Sequence, residues 1–194
     1  MAKPRILGGS ARGRPLETPR RGTRPSPSRL REALFDILAF REPGRFLDLF
    51  SGSGAIGLEA ASRGWSSTCV DLSAEASNVI RRNARELGLD VQVVRGDALR
   101  FAAEHEGYDV VFAAPPYPLD LAEIFSGILA AGPAAPDGLY IFQYPTGLEL
   151  RLAGRVKKYG SNSLILIDAS PDGGPGGRGD GKPGVREPES GVIE

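Results

Sequence analysis

An apolar run that ends in a glycine loop constrains this chain more than any other feature of its 194 residues. Arg45-Phe46-Leu47-Asp48-Leu49-Phe50 has the length and composition of a buried strand. Gly52-Ser53-Gly54-Ala55-Ile56-Gly57 follows in the pattern G-x-G-x-x-G, and Leu58 to Arg63 continues as a helix. Glycines at such a turn let backbone approach a ligand where a Cβ would stand, and a helix start presents N–H groups with no intrahelical partner. Asp71 lies 23 positions beyond Asp48, at the end of a second apolar run, Ser67-Thr68-Cys69-Val70. That is the place of an acid that holds a ribose hydroxyl. The unit predicts a nucleoside-cofactor site and leaves the cofactor open.

The alternation continues along the chain. Strands are expected at 45–50, 67–71, 91–94, 108–113 and 138–143, with helices at 54–63, 73–87, 96–104 and 119–131. Val156 to Tyr159 and Ser163 to Ile167 read as a closing antiparallel pair. Such an order makes an α/β fold around a mostly parallel, doubly wound sheet. Ser73 is expected to cap its helix and Gly88 to end it. Ahead of the sheet, Ser28 to Leu38 forms an amphipathic helix with Leu30, Leu34, Ile37 and Leu38 on one face and Ser28 as its cap. Arg5 to Gly9 and Arg14 to Glu17 read as a small β-hairpin around Arg12-Gly13. Residues 171–194 hold eight glycines and four prolines, and only Val185, Val192 and Ile193 are sizeable apolar side chains. That composition buries too little to offset its ordering entropy, so a disordered tail is expected. The chain divides into a basic N-terminal extension at 1–43, a cofactor-binding domain at 44–169 and the tail at 170–194.

Acids and bases balance at 24 each, but not locally. Residues 1–31 carry nine basic residues (Lys3, Arg5, Arg12, Arg14, Arg20, Arg21, Arg24, Arg29, Arg31) against one acid, Glu17. A basic arm on an acidic body offers one end to nucleic acid, and arginine favours bidentate phosphate contacts. No apolar stretch approaches a membrane span, and the basic start lacks the apolar core of a signal peptide, so a cytoplasmic protein without membrane partners is expected. One cysteine, Cys69, excludes a disulfide framework and a cysteine-rich metal site; it reads as a small buried hydrophobe, and no metal is expected. His105 reads as a surface residue and Trp65 as packing, while Tyr144-Pro145 either borders a bound base or ends a strand. A dehydrogenase would need a second half, for which no residues remain. Asp97, after the third strand, falls where the adenine of a cofactor would lie, and Ala114-Pro115-Pro116-Tyr117 follows the fourth strand at the ligand-binding edge.

Arg5-Ile6-Leu7-Gly8-Gly9 with Arg12-Gly13-Arg14, Arg24-Pro25 with Arg29 to Phe35, and the Asp48–Gly57 loop together resemble the RsmD family over about residues 5–168. The resemblance implies a Rossmann-like class I methyltransferase fold that transfers a methyl group from S-adenosylmethionine to the N2 amine of a guanine in 16S rRNA. The substrate would be that rRNA in the small ribosomal subunit or its assembly intermediate, and the protein a monomer. Cofactor contacts are implied for Asp48, Ser51, Gly52, Ser53, Gly54, Asp71, Leu72, Asp97 and Ala98, and RNA contacts for Arg5, Arg12, Arg14, Arg24 and Arg29. Catalysis would fall to Ala114, Pro115, Pro116 and Tyr117, the tyrosine stacking on a flipped base. The family motif carries Asp or Asn where this chain has Ala114. An exocyclic amine has its lone pair delocalised into the base, and a side-chain oxygen with a backbone carbonyl helps localise it. At Ala114 the side-chain acceptor is missing; Arg12, Arg24 or a water would have to substitute. Methylation of a DNA or tRNA amine, and a catalytically impaired RNA-binding protein, are the alternatives.

Overall fold

In the computed structural model, residues 3–20 and 26–169 are described. Arg45–Leu49 forms β1, and apolar side chains on both its faces place it inside a seven-stranded sheet. The remaining elements follow in chain order: α2 (Ala55–Ser62), β2 (Ser66–Asp71), α3 (Ala74–Leu87), β3 (Val91–Arg95), α4 (Ala98–Glu104), β4 (Tyr108–Ala113), α5 (Leu121–Ala131), β5 (Ala134–Pro145), β6 (Arg155–Tyr159) and β7 (Asn162–Asp168), with α1 (Ser28–Leu38) before them. The strand order is β3-β2-β1-β4-β5-β7-β6. β1 to β5 are parallel neighbours, and β7 and β6 close the sheet antiparallel. This is the doubly wound α/β architecture expected.

Two apolar layers hold the sheet. Leu47, Leu49 and Val111 face α4 and α5, where Phe125 stacks on Phe142 at 4.4 Å. On the other face Phe46, Val110, Phe112, Ile141 and Leu164 receive Leu30, Leu34, Phe35 and Leu38 of α1. Ser73 accepts the Ala76 N–H and Gly88 ends α3 at φ 67°, as expected. Ser28 does not cap α1. Pro27 takes that position in an extended conformation, its carbonyl accepting Leu30 and Arg31 N–H at 3.0 and 3.1 Å, which leaves Ser28 as the first helical residue. β5 begins four residues earlier than expected because Ala134 pairs with Tyr108 before a register shift.

The N-terminal hairpin consists of one antiparallel bridge, Arg5 to Pro15, with Ile6 donating to Arg14 and Leu16 to Pro4 beside it. Pro4 and Pro15 lack the N–H groups a longer ladder would need. Ile6, Ala11 and Leu16 bury against Leu58, Ile80 and Ala84 of α2 and α3. The turn lies against the C-terminal end of α2, where Ala11 N–H donates to Ser62 Oγ at 2.9 Å. From there the chain climbs along α3: Glu17 exchanges hydrogen bonds with Asn83, and Arg20 N–H meets Glu75 in the first turn. Ser26 then reaches Gln143 near the end of β5, and α1 descends from that edge, Arg41 bonding the Asp137 carbonyl below. The expected tail at 170–194 lies outside the described residues.

Candidate active site

The loop after β1 is held by its own backbone. Phe50 takes φ 59°, a conformation uncommon for a residue with a side chain, and Gly52 and Gly54 take 55° and 74°. Ser51 Oγ donates to the Asp48 carbonyl at 2.6 Å, and Gly54 N–H to the Ser51 carbonyl at 2.8 Å. A Cβ on Gly54 would stand 2.7 Å from Ile80 Cγ1, so the tight turn also lets α3 pack close.

Asp71 closes the mouth of this loop. Its Oδ2 accepts Gly52 N–H and its Oδ1 accepts Ser73 N–H, both at 2.8 Å. Each oxygen keeps a lone pair for a hydroxyl donor. Leu72 beside it is 71% exposed, an apolar side chain with no protein cover. Gly96 N–H bonds the Asp71 carbonyl at 3.1 Å, drawing the end of β3 to the end of β2. Asp97 is there, exposed, with Oδ1 capping α4 through Arg100 N–H, and Ala98 opens the helix with an N–H free of intrahelical bonding.

Asp48 and Ser53 differ from Asp71, Leu72 and Asp97, being 1% and 4% exposed. Asp48 Oδ2 accepts Gly57 N–H at 3.0 Å from beneath the loop. Burial pushes its carboxyl up to about 7, with the Gly57 hydrogen bond opposing and the Asp71 charge adding a little. Asp48 therefore braces the loop, whereas Gly52, Asp71, Leu72 and Asp97 line its mouth.

Register brings the second motif alongside. Leu49 pairs with Ala113, and Ala114 N–H points to the Leu49 carbonyl at 3.5 Å. Ala114 is partly buried on the α1 side of the sheet, Pro115 is buried, Pro116 exposed, and Tyr117 is 51% exposed. Tyr117 Oη donates to Asn162 Oδ1. Gln143 Nε2 donates to the same Oδ1 at 3.2 Å, and Ser26 Oγ donates to Gln143 Oε1 at 2.9 Å. This polar cluster had no signal in sequence: it joins a loop, β5 and β7 across more than a hundred residues.

The arginines divide between two ends of the molecule. Arg29, in the first turn of α1, and Arg20 stand exposed at the edge that carries the glycine loop. Arg5, Arg12 and Arg14 are exposed at the opposite ends of α2 and α3, Arg14 reaching the Glu86 carbonyl. Arg12 is thus no substitute for the acceptor missing at Ala114, and a guanidinium only donates hydrogen bonds, which removes Arg24 from that role as well; Arg21 and Arg24 lie outside the described residues. Arg31, counted with the basic arm, is 1% exposed and belongs to the core beside Glu59. His105 is exposed and stacks on Phe101 at 3.8 Å, Trp65 packs edge-on to Phe46, and Cys69 is fully buried. Tyr144 is buried inside β5, and Pro145, which ends that strand, lines an open cavity together with Tyr117, Leu119 and Leu148. Among the described residues no three His, Cys, Asp or Glu side chains gather into a metal-sized cluster, and no helix is long and apolar enough to cross a membrane.

A family model described as conserved hypothetical protein 95 matches residues 4–167. Ribosomal RNA small subunit methyltransferase D of Escherichia coli (strain K12) is 38% identical over 124 residues, which cover 61% of this chain and 63% of that relative. The chain thus spans less than two thirds of that curated relative's length. A solved hypothetical protein of Thermus thermophilus is 46% identical, covering 86% of this chain and 98% of its own, with a TM-score of 0.80. A second Thermus thermophilus protein, the 16S rRNA guanine-N2 methyltransferase RsmC solved with AdoMet and guanosine, shares the fold at a TM-score of 0.68 and 22% identity, covering 86% of this chain and 49% of that one.

Proposed function

The chain belongs to the RsmD family, and on that footing we propose that it methylates the exocyclic N2 amine of a guanine in 16S rRNA, using S-adenosylmethionine. The observation that carries this reading is the adjacency of two strand ends. The Gly52–Gly54 turn with Asp71 at its mouth is set, through the Leu49 to Ala113 pairing, beside Ala114-Pro115-Pro116-Tyr117. The cradle fits the cofactor: the left-handed turn at Gly52 and Gly54 sets Asp71 at its mouth with acceptors for ribose hydroxyls, and exposed Leu72 with Asp97 and Ala98 flanks the place for adenine. No pyrophosphate has to sit on the α2 N-terminus, since this cofactor has none.

When bound, S-adenosylmethionine supplies an electrophilic methyl group: the N–C bond forms as the S–C bond breaks, and the bonding pair stays on sulfur. The protein's part is orientation. Pro115 and Pro116 stiffen the turn, half-exposed Tyr117 offers a face on which a flipped base stacks, and its hydroxyl is anchored to Asn162. Holding amine and methyl in line contributes about 7–11 kcal/mol toward the barrier. Arg20 and Arg29 stand at this edge, and Arg5, Arg12 and Arg14 extend the RNA contact about 20 Å down the length of α3. The protein acts as a cytoplasmic monomer on the small subunit or its assembly intermediate. The test is incubation with labelled cofactor and small subunits that lack the modification, followed by nucleoside mass spectrometry. N2-methylguanosine in 16S rRNA is expected; no methyl transfer, or transfer only to tRNA or DNA, overturns the reading.

A further inference from the structure

Attack by an exocyclic amine needs hydrogen-bond acceptors that hold its two hydrogens and localise its lone pair, and Ala114 brings no side-chain acceptor to the turn. We infer that Gln143 supplies it: its Oε1 accepts a hydrogen of the target amine from the neighbouring strand. The inference rests on the reading of this site as an amino-methyltransferase. Ala113 pairs with Phe142, so the next residues, Ala114 and Gln143, stand side by side at the ends of β4 and β5. Both lie on the α1 face, since Leu139 and Ile141 alternate with Gln143 onto that layer and Ala114 packs against it. Neighbouring strands are about 4.8 Å apart. Glutamine is one methylene longer than asparagine, so an amide rooted one strand away reaches toward the space that a polar residue at 114 would fill.

The amide is also oriented. Asn162 Oδ1 accepts both Tyr117 Oη–H and Gln143 Nε2–H, which occupies its two lone pairs. Asn162 Nδ2 donates to Ser161 Oγ at 3.3 Å, which sets that side chain's own direction. Reversing Gln143 would press two acceptor oxygens together with no hydrogen between them. Gln143 Oε1 therefore faces away from Asn162; it accepts Ser26 Oγ–H at 2.9 Å and keeps one lone pair. At 6% exposure, this fixed amide oxygen beside the reaction turn has one donor among the described residues and a second lone pair with which to accept another. The same network holds Tyr117, so the stacking ring and the acceptor move as one unit. Gln143 takes a hydrogen bond and no proton; the proton released after methyl transfer goes to water.

The experiment compares wild type, Gln143→Leu, Gln143→Glu and the double variant Ala114→Asn/Gln143→Leu, with labelled S-adenosylmethionine and unmethylated small subunits. Gln143→Leu should lower kcat roughly 10²-fold, with KM for the subunit and the calorimetric Kd for cofactor unchanged. Gln143→Glu keeps an acceptor but sets a second oxygen against Asn162 Oδ1, so its kcat should fall between wild type and Gln143→Leu, and Ala114→Asn should restore most of the loss in the double variant. An unchanged kcat for Gln143→Leu overturns the proposal. So does a loss that tracks Tm and cofactor Kd and is rescued by neither companion variant, since that is a structural role. An inactive wild type that binds cofactor instead overturns the amino-methyltransferase reading, and this proposal with it.

Discussion

Glu59 is fully buried, and its carboxylate joins the N-terminal arm to α2. Oε2 accepts Leu7 N–H at 2.7 Å and Oε1 accepts Gly8 N–H at 2.8 Å. Arg63 Nε donates to Oε1 at 2.8 Å, and Arg31, 1% exposed, stands 3.7 Å from Oε2. Burial holds the Arg31 guanidinium below its ordinary pKa, while Glu59 acts in the opposite direction. Arg31 Nε has no hydrogen-bond partner among the described residues, so its charge rests on Glu59 and the Arg5 carbonyl. Glu59→Gln preserves volume and removes the charge. Two backbone donors then lose an ionic acceptor and a buried cation loses its counter-charge, which costs about 3–5 kcal/mol. For a chain of this size that corresponds to a Tm lower by roughly 10 °C. Urea denaturation with an unchanged m-value reads the cost, and hydrogen exchange at Leu7 and Gly8 shows whether the arm opens before the sheet. Adding Arg31→Leu to Glu59→Gln should recover part of the loss, because it removes the buried cation left without its counter-charge while the amide at 59 can still accept a backbone N–H. A loss under about 1 kcal/mol in the single variant would refute the argument that a buried cation depends on this carboxylate.

Three further outcomes are expected. Asp48 holds its proton to about 7 in the fold and loses it in the ordinary carboxylate range when unfolded. The folded state therefore binds more protons between those values, and this group's contribution to stability is full at low pH and declines as pH rises toward 7. Asp48→Asn should flatten that decline in denaturation curves taken across the range, and a pH dependence identical to wild type contradicts the assignment. A Cβ on Gly57 would stand 2.2 Å from Cys69 Sγ, so Gly57→Ala should cost about 1–3 kcal/mol by urea denaturation, and adding Cys69→Ala should recover at least half of it. Arg29→Ala and Arg12→Ala should each reduce the slope of log Kd for rRNA against log salt by about one, measured by filter binding. A slope that moves for Arg29 alone would confine the RNA to the edge that carries the glycine loop.

Local pattern carried most of the fold. Apolar runs, glycine stops and the Ser73 cap are read within a few residues, and they placed every strand of the sheet, although β5 extends four residues further toward the N-terminus. The glycine loop and Asp71 were legible for the same reason, since strand, turn and acid lie within one βαβ unit. What escaped depends on long-range register. Gln143 and Asn162 look like ordinary strand residues until β7 folds back on β5 and Ser26 arrives from the other end of the chain. Arg31 counted as a surface cation because its acid partner is 28 positions away. An acid inside the small, apolar run Ala55–Ser62 was the one available signal for Glu59.

The two ends of the described chain meet in one layer, where Leu30, Leu34 and Phe35 of α1 pack with Leu164 and Leu166 of β7. During synthesis α1 therefore precedes its own seat by more than a hundred residues. Contacts so distant in sequence close late. Until β7 pairs with β5, Ser26 has no oriented Gln143 to meet and Tyr117 has no Asn162 to anchor its hydroxyl, whereas the arginine arm is already seated on α2 and α3. Placing the target base and completing the fold thus become one event, and a nascent or truncated chain that makes the glycine loop and lacks β7 would keep the nucleoside pocket and the arginine arm without a fixed seat for the base.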